Sequence, residues 1–288
     1  MFYTPRIKDD TFPILEIGPG ALPFHLSDVW LDIDFSEEDK IIQSGGEKPA
    51  TGRPMVYYDG KRFPFKDKAF KYVIASHVLE HVSWQDVPLF ISEMERVSEA
   101  GYIELPRWTW ELVNDIPTHR LTGDVKDEKL ILYKKTCNHD YNFFTKIMID
   151  ESVKFREYIE REKQLFFCGI EWRKKILYEL RDNSYQIATR KEDIANILKK
   201  DIFNMNVIPL RTINKKEPEQ LPANFLSNIL RRCAIKKENL MRGSIDKAKM
   251  VQDILQCPKC SKKIDIALHC SECGFNFNKK GVIYFPHY

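Results

Sequence analysis

Short apolar runs recur through the first third of the chain, and all but one of them end in glycine, proline or an acid. Ile14-Leu15-Glu16-Ile17 runs straight into Gly18-Pro19-Gly20. Val29-Trp30-Leu31-Asp32-Ile33-Asp34 gains carboxylates at its end, and Met55-Val56-Tyr57-Tyr58 is closed by Asp59-Gly60. Tyr72-Val73-Ile74-Ala75 is a fourth run; Gly101-Tyr102-Ile103-Glu104-Leu105, stopped by Pro106, is a fifth. Apolar runs bounded by turn formers predict strands buried on both faces. Between the fourth and fifth, Leu89, Phe90, Met94 and Val97 recur at helical spacing and predict a helix over 84–97. Strands that alternate with helical or linking segments predict an α/β fold with a doubly wound, mostly parallel sheet.

Beyond Pro106 the pattern loosens. Leu130 to Tyr133 reads as an added strand, and Lys146 to Glu162 as a helix. Leu165 to Trp172 and Lys175 to Leu180 read as two strands joined at Arg173-Lys174, an antiparallel hairpin closing the sheet. Helices are expected over Arg190 to Ile202 and Phe225 to Arg232, with a linker at Asn214 to Pro222. The expected limits are a first domain over 1–185, a helical linker region over 186–250 and a small module over 251–288.

Composition adds two constraints. No apolar run approaches the roughly 18 residues of a membrane helix, and Met1 to Asp10 is charged and carries no apolar signal core. A cytoplasmic protein without membrane attachment is expected. The net charge of +3 hides an asymmetry: residues 1–150 hold 18 Lys and Arg against 25 Asp and Glu, a net of −7, and residues 151–288 hold 27 against 17, a net of +10. A basic half suits either solvated helix faces or contact with an anionic partner.

Gly18 and Gly20 let a backbone come close to a ligand at the carboxyl end of the first strand, where open α/β sheets bind nucleotides. Asp32, at the tip of the second strand, can accept hydrogen bonds from both ribose hydroxyls; Asp34 competes for that role. Asp59, on the same edge, can accept from an adenine amino group. Together with Phe63 to Val82 (FPFKDKAFKYVIASHVLEHV), these residues resemble class I S-adenosylmethionine-dependent methyltransferases of the type 11 subgroup. Glu16 to Gly20 is similar to that family's first motif, and the match covers roughly residues 12–106. The resemblance implies a Rossmann-like domain that binds S-adenosylmethionine through Glu16, Gly18, Gly20, Asp32, Asp59 and Ser76. The family commonly has a third glycine where this chain has Leu22.

In such a displacement the sulfonium carbon is already activated, so the protein mainly positions the acceptor. His77, just past the fourth strand, is the candidate general base, and His81 is more simply a packed histidine. His77 to His81 also fits the H-x-x-E-H pattern of inverted zinc proteases, but that leaves the glycine turn and parallel strands without a role. Arg107, His119 and Arg120 follow the fifth strand, where they can hold an anionic acceptor; Trp108 and Trp110 suit lid packing.

Seven cysteines are present, and four of them form two C-x-x-C knuckles: Cys257, Cys260, Cys270 and Cys273. Four thiolates at this spacing predict a closed, tetrahedral structural zinc site. Residues 251–288 resemble the small zinc-ribbon activator subunits of tRNA and protein methyltransferases, which implies a ribbon that docks on the methyltransferase domain in cis. The type 11 resemblance favours a small-molecule or glycan-like methyl acceptor over nucleic acid. An RNA or protein methyltransferase using the basic half, and a cofactor-binding scaffold without turnover, are the alternatives.

Overall fold

The centre is a sheet of five parallel strands: β1 (Ile14–Ile17), β2 (Val29–Ile33), β3 (Met55–Tyr58), β4 (Tyr72–Ser76) and β5 (Ala100–Pro106). The computed structural model describes residues 1–7, 11–20, 23–33, 53–114, 116–135, 149, 151–182, 247–265, 267–276 and 283–284, all within a unit formed by residues 1–185 and 246–288. β1 and β5 are buried along their whole length, as strands covered on both faces must be. Two antiparallel strands flank the parallel set, β8 (Phe167–Arg173) on β5 and β10 (Ile283–Tyr284) on β3, giving the order β10-β3-β2-β1-β4-β5-β8. Strand order reverses between β1 and β4, the position where such sheets open a ligand crevice at their carboxyl edge. The fold is thus mixed α/β with a mostly parallel, Rossmann-like central sheet.

Helix α1 (Val87–Val97) follows β4 and buries Val87, Phe90, Ile91, Met94 and Val97 on one side. It starts three residues later than the expected 84, with Pro88 in its first turn. Its Arg96 clamps the approach to β4, donating to the Phe63 and Phe65 carbonyls at 2.8 and 2.6 Å and pairing with Glu93 at 2.6 Å. After β5, α2 (Trp108–Asn114) leads into a second sheet of β6 (Leu121–Lys126), β7 (Lys129–Lys134) and β9 (Tyr178–Arg181). α3 (Val153–Arg161) and α4 (Lys163–Phe166) precede β8.

Two expectations are corrected here. The segment over 165–180 is not a hairpin: β8 closes the central sheet antiparallel to β5, but β9 leaves it and pairs parallel with β7. Lys174, in a left-handed conformation with φ of 64°, turns the chain away. Leu165 also belongs to α4 and not to the strand. The expected helices at 190–202 and 225–232 and the linker at 214–222 lie outside the described residues.

The last segment joins the main core. α5 (Lys247–Ile254) buries Val251, and Leu255 just beyond it is 1% exposed. Leu255 bridges antiparallel to Phe65; the Lys66 N–H donates to the Ile254 carbonyl at 2.9 Å and the Gln256 N–H to the Pro64 carbonyl at 3.0 Å. Lys247 pairs with the buried Asp28 at 3.2 Å.

Candidate functional site

Gly18 and Gly20 leave β1 at the point of strand reversal, with φ of 59° and 56°. The Gly18 N–H donates to the Leu31 carbonyl at 2.8 Å and ties the turn to β2. A Cβ on Gly18 would lie 2.6 Å from Val78 Cγ2, whereas one on Gly20 meets no described atom within 4 Å. Gly18 therefore serves close packing, and among the described residues nothing crowds Gly20. Leu22 lies outside the described residues.

The expected cofactor acids behave differently from one another. Glu16 is buried, and both its oxygens accept from the Phe24 N–H at 3.0 and 2.9 Å, which braces the loop after the glycine turn. Asp32 ends β2 half-buried, with Oδ1 accepting from the Ile33 N–H at 2.8 Å. Asp59 is exposed beyond β3 and accepts from the Lys61 N–H at 3.0 Å. Gly18, Gly20, Asp32 and Asp59 thus line the ends of three adjacent strands. Asp34 lies outside the described residues. Ser76 turns toward β5, its hydroxyl donating to Glu104 Oε1 at 3.0 Å.

Glu104 is the hub of the neighbouring strand ends and is 0% exposed. It accepts from the backbone N–H of Phe2 (2.9 and 3.1 Å) and of Tyr3 (2.9 Å), and from the Tyr102 hydroxyl (2.6 Å). His77 Nε2 lies 3.1 Å from Glu104 Oε1, off the line of a straight hydrogen bond, and Nδ1 lies 3.1 Å from Glu80 Oε1. Burial resists charging of His77, but its bonds with Glu104 and Glu80 outweigh burial and raise its pKa to about 9. Burial likewise resists ionisation of Glu104, yet the contact with His77 brings it down to about 2. His77 sits between two carboxylates, which favour its protonated form. A general base needs an unprotonated nitrogen, which these contacts disfavour. Phe2 stacks on Phe167 at 3.8 Å between ring centroids, edge-on to His77, so the N-terminal segment covers this end of β4 and β5.

The acceptor-side candidates are also engaged. Arg107 pairs with Asp124 and donates to the Phe167 carbonyl at 3.2 Å. His119 Nδ1 lies 2.6 Å from buried Glu111, whose other oxygen accepts from Lys135 at 2.7 Å. Arg120 is exposed, and Trp110 packs at 4.9 Å on Phe167. His81 Nδ1 lies 3.3 Å from the Thr118 carbonyl, and its ring meets that of His119 at 4.8 Å.

The four cysteines come together. Cys257 and Cys273 place their sulfurs 3.5 Å apart, Cys260 and Cys270 3.4 Å, and all four lie within 4.8 Å of one another. Each knuckle is closed in the same way. The Cys257 N–H donates to the Lys262 carbonyl (2.9 Å) and the Cys270 N–H to that of Phe275 (2.8 Å); the Ser261 and Gly274 N–H groups donate back to the Cys257 and Cys270 carbonyls (2.9 Å each). A tetrahedral thiolate site with metal–sulfur bonds of about 2.3 Å holds its sulfurs about 3.8 Å apart, so this donor set fits such an ion.

Sequence reasoning missed Glu80, Glu104 and Glu111. The signal for Glu104 was present, since a lone acid inside the apolar run Gly101 to Leu105 must find buried partners.

Residues 17–103 match the profile of a family described as a methyltransferase domain. The matched stretch runs from the end of β1 into β5 and so takes in the glycine turn and the next strand ends. No curated protein matches the chain. Among solved structures, an S-adenosylmethionine-dependent methyltransferase from Archaeoglobus fulgidus is 21% identical, with 42% of this chain and 57% of that one covered and a TM-score of 0.31. A Pyrococcus horikoshii protein is 15% identical over 48% and 71%, with a TM-score of 0.28. A complex containing a methyltransferase activator from Haloferax volcanii is 12% identical over 57% and 82%, with a TM-score of 0.33.

Proposed function

We propose that this protein transfers a methyl group from S-adenosylmethionine to a small-molecule or glycan-like acceptor. The observation that carries the reading is the glycine turn at the strand reversal, flanked by Asp32 and Asp59 at the next two strand ends. These residues fit the cofactor: Gly20, which no described residue crowds, suits a ligand against the backbone, and Asp32 suits ribose hydroxyls. The bound sulfonium supplies an already activated methyl group, and the residues around it orient and exclude water. His77, whose contacts favour its charged form, orders the Glu104 hub. The covering of β4 and β5 by Phe2, Phe167 and Trp110 favours a compact acceptor over a nucleic-acid strand.

We read the cysteine module as a structural zinc ribbon acting in cis, because a shell of four protein thiolates leaves no position for substrate. Calorimetry with S-adenosylmethionine and its demethylated product tests the cofactor reading. The wild type should bind both. Asp32→Ala should weaken binding at least tenfold, because a site built around hydroxyls loses its acceptor. Equal binding by this variant, or none by the wild type, counts against the assignment.

A further inference from the structure

Beside the expected cofactor crevice, three side chains converge that neither the methyl-transfer reading nor the cysteine module uses. Glu80 and His81 lie in the 3₁₀ turn Leu79–His81 after β4, and His119 lies just before β6. The Arg120 N–H donates to the Glu80 carbonyl at 2.7 Å, so one backbone bond fastens the two segments together. A carboxylate oxygen of Glu80 and one ring nitrogen from each histidine lie within 4.8 Å of one another.

The arrangement around these donors is that of metal ligands. The Nδ1 atoms of both histidines face oxygens, Glu111 Oε1 at 2.6 Å and the Thr118 carbonyl at 3.3 Å, which leaves Nε2 as the coordinating nitrogen in each. Carboxylate and carbonyl oxygens on the second ring nitrogen are what orients metal-bound histidine. Glu80 is 0% exposed, and while its Oε1 meets His77, its Oε2 finds no hydrogen-bond partner among the described residues. A buried carboxylate oxygen without a partner is costly unless something else satisfies it.

We propose that Glu80, His81 and His119 form a second metal site, for a divalent first-row transition ion of the zinc class. Two imidazoles and one carboxylate are borderline donors that select such ions over magnesium or calcium. Three protein ligands leave at least one position open for water or an oxygen of a bound molecule, unlike the closed cysteine shell. A tetrahedral ion with ligands at about 2.0–2.1 Å holds donors about 3.3 Å apart, so the widest pair, now within 4.8 Å, closes by roughly 1.5 Å at most. The proposal also explains the H-x-x-E-H resemblance as partial. His77 has φ of 59° and faces Glu104 and Glu80, and residues 79–81 are a 3₁₀ turn and not an α-helix, so of the pattern's two histidines only His81 serves, together with Glu80.

Metal analysis of the full-length chain, dialysed with zinc, tests this. Two equivalents are expected in the wild type and one in Cys270→Ser. His81→Ala should retain one, and Glu111→Gln, which loosens His119, should weaken the second equivalent about 10- to 100-fold. Cobalt binding separates the sites, because only the thiolate site gives sulfur-to-metal charge-transfer absorption. His81 is exposed, so its variant is expected to fold, and thermal unfolding checks that. One equivalent in the wild type, or two in a folded His81→Ala, overturns the proposal. Cofactor binding measured on the same samples keeps the outcome separate from the methyltransferase reading, since loss of one leaves the other untouched.

Discussion

Replacing Gly18 and Gly20 one at a time with alanine separates packing from ligand contact within a single turn. Both sit in the left-handed region, φ 59° and 56°, where a side chain costs about 1–2 kcal/mol. Only Gly18 adds a collision, with its new Cβ 2.6 Å from Val78 Cγ2. Val78 leads directly into the 3₁₀ turn and has little freedom to retreat; overpacking of this kind costs about 1–3 kcal/mol. The expected loss is about 2–5 kcal/mol for Gly18→Ala and about 1–2 kcal/mol for Gly20→Ala. At about 2–4 °C per kcal/mol in a chain of this size, the melting points should fall by roughly 4–20 °C and 2–8 °C. Cofactor affinity should show the reverse order: Gly20→Ala fills the space the ligand is expected to use and should weaken binding more than tenfold despite its smaller stability loss. Scanning fluorimetry and calorimetry on both variants decide the matter. Equal melting points, or unchanged cofactor affinity in Gly20→Ala, would refute the division of labour.

Other consequences are accessible to simple measurements. Ser261 has φ of 61° where the matching position of the second knuckle is Gly274, so Ser261→Gly should stabilise the metal-loaded protein by up to about 1 kcal/mol, read as a higher melting point. Cys270→Ser should release the cysteine-bound metal and loosen the packing of Val251 and Leu255, read as faster proteolysis beyond residue 247. The Glu104 carboxyl sits at about 2 instead of 4.5, so it contributes stability above pH 4.5 that is lost as pH falls toward 2. The difference is up to about 3 kcal/mol, and urea unfolding of Glu104→Gln should show a flatter acid limb than the wild type.

The strands of the parallel sheet were legible because strands buried on both faces must be apolar throughout, and Ile14–Ile17 and Tyr72–Ser76 show it directly. β6 was not, since Leu121-Thr122-Gly123-Asp124-Val125-Lys126 mixes polar residues and a glycine into a strand with one polar side. β9 was assigned to the wrong neighbour because a short strand after a basic pair resembles a hairpin arm, and its true partner lies near residue 130. Glycines and acids at strand ends were readable because their position along the chain already places them at one edge of the sheet. The contact of His77 with Glu104, 27 positions away, was not legible, because nothing local to the histidine announces that partner.

The pairing of residues 283–284 with β3, and of Leu255 with Phe65, has a consequence for synthesis. The chain leaves its main unit at residue 185 and returns at 246, so that unit is completed only by residues made after 245. Until they emerge, a nascent chain carries β3 as an open edge and the Phe65 backbone without its bridge, and an unpaired edge invites association between chains. A chaperone that shields this edge during translation would act at the stage when the protein is most exposed to aggregation. Ribosome-bound chains ending before residue 247 should accordingly be more protease-sensitive near Phe65 than the full 288-residue chain, and equal sensitivity would mean that the sheet is closed without residues 247–284.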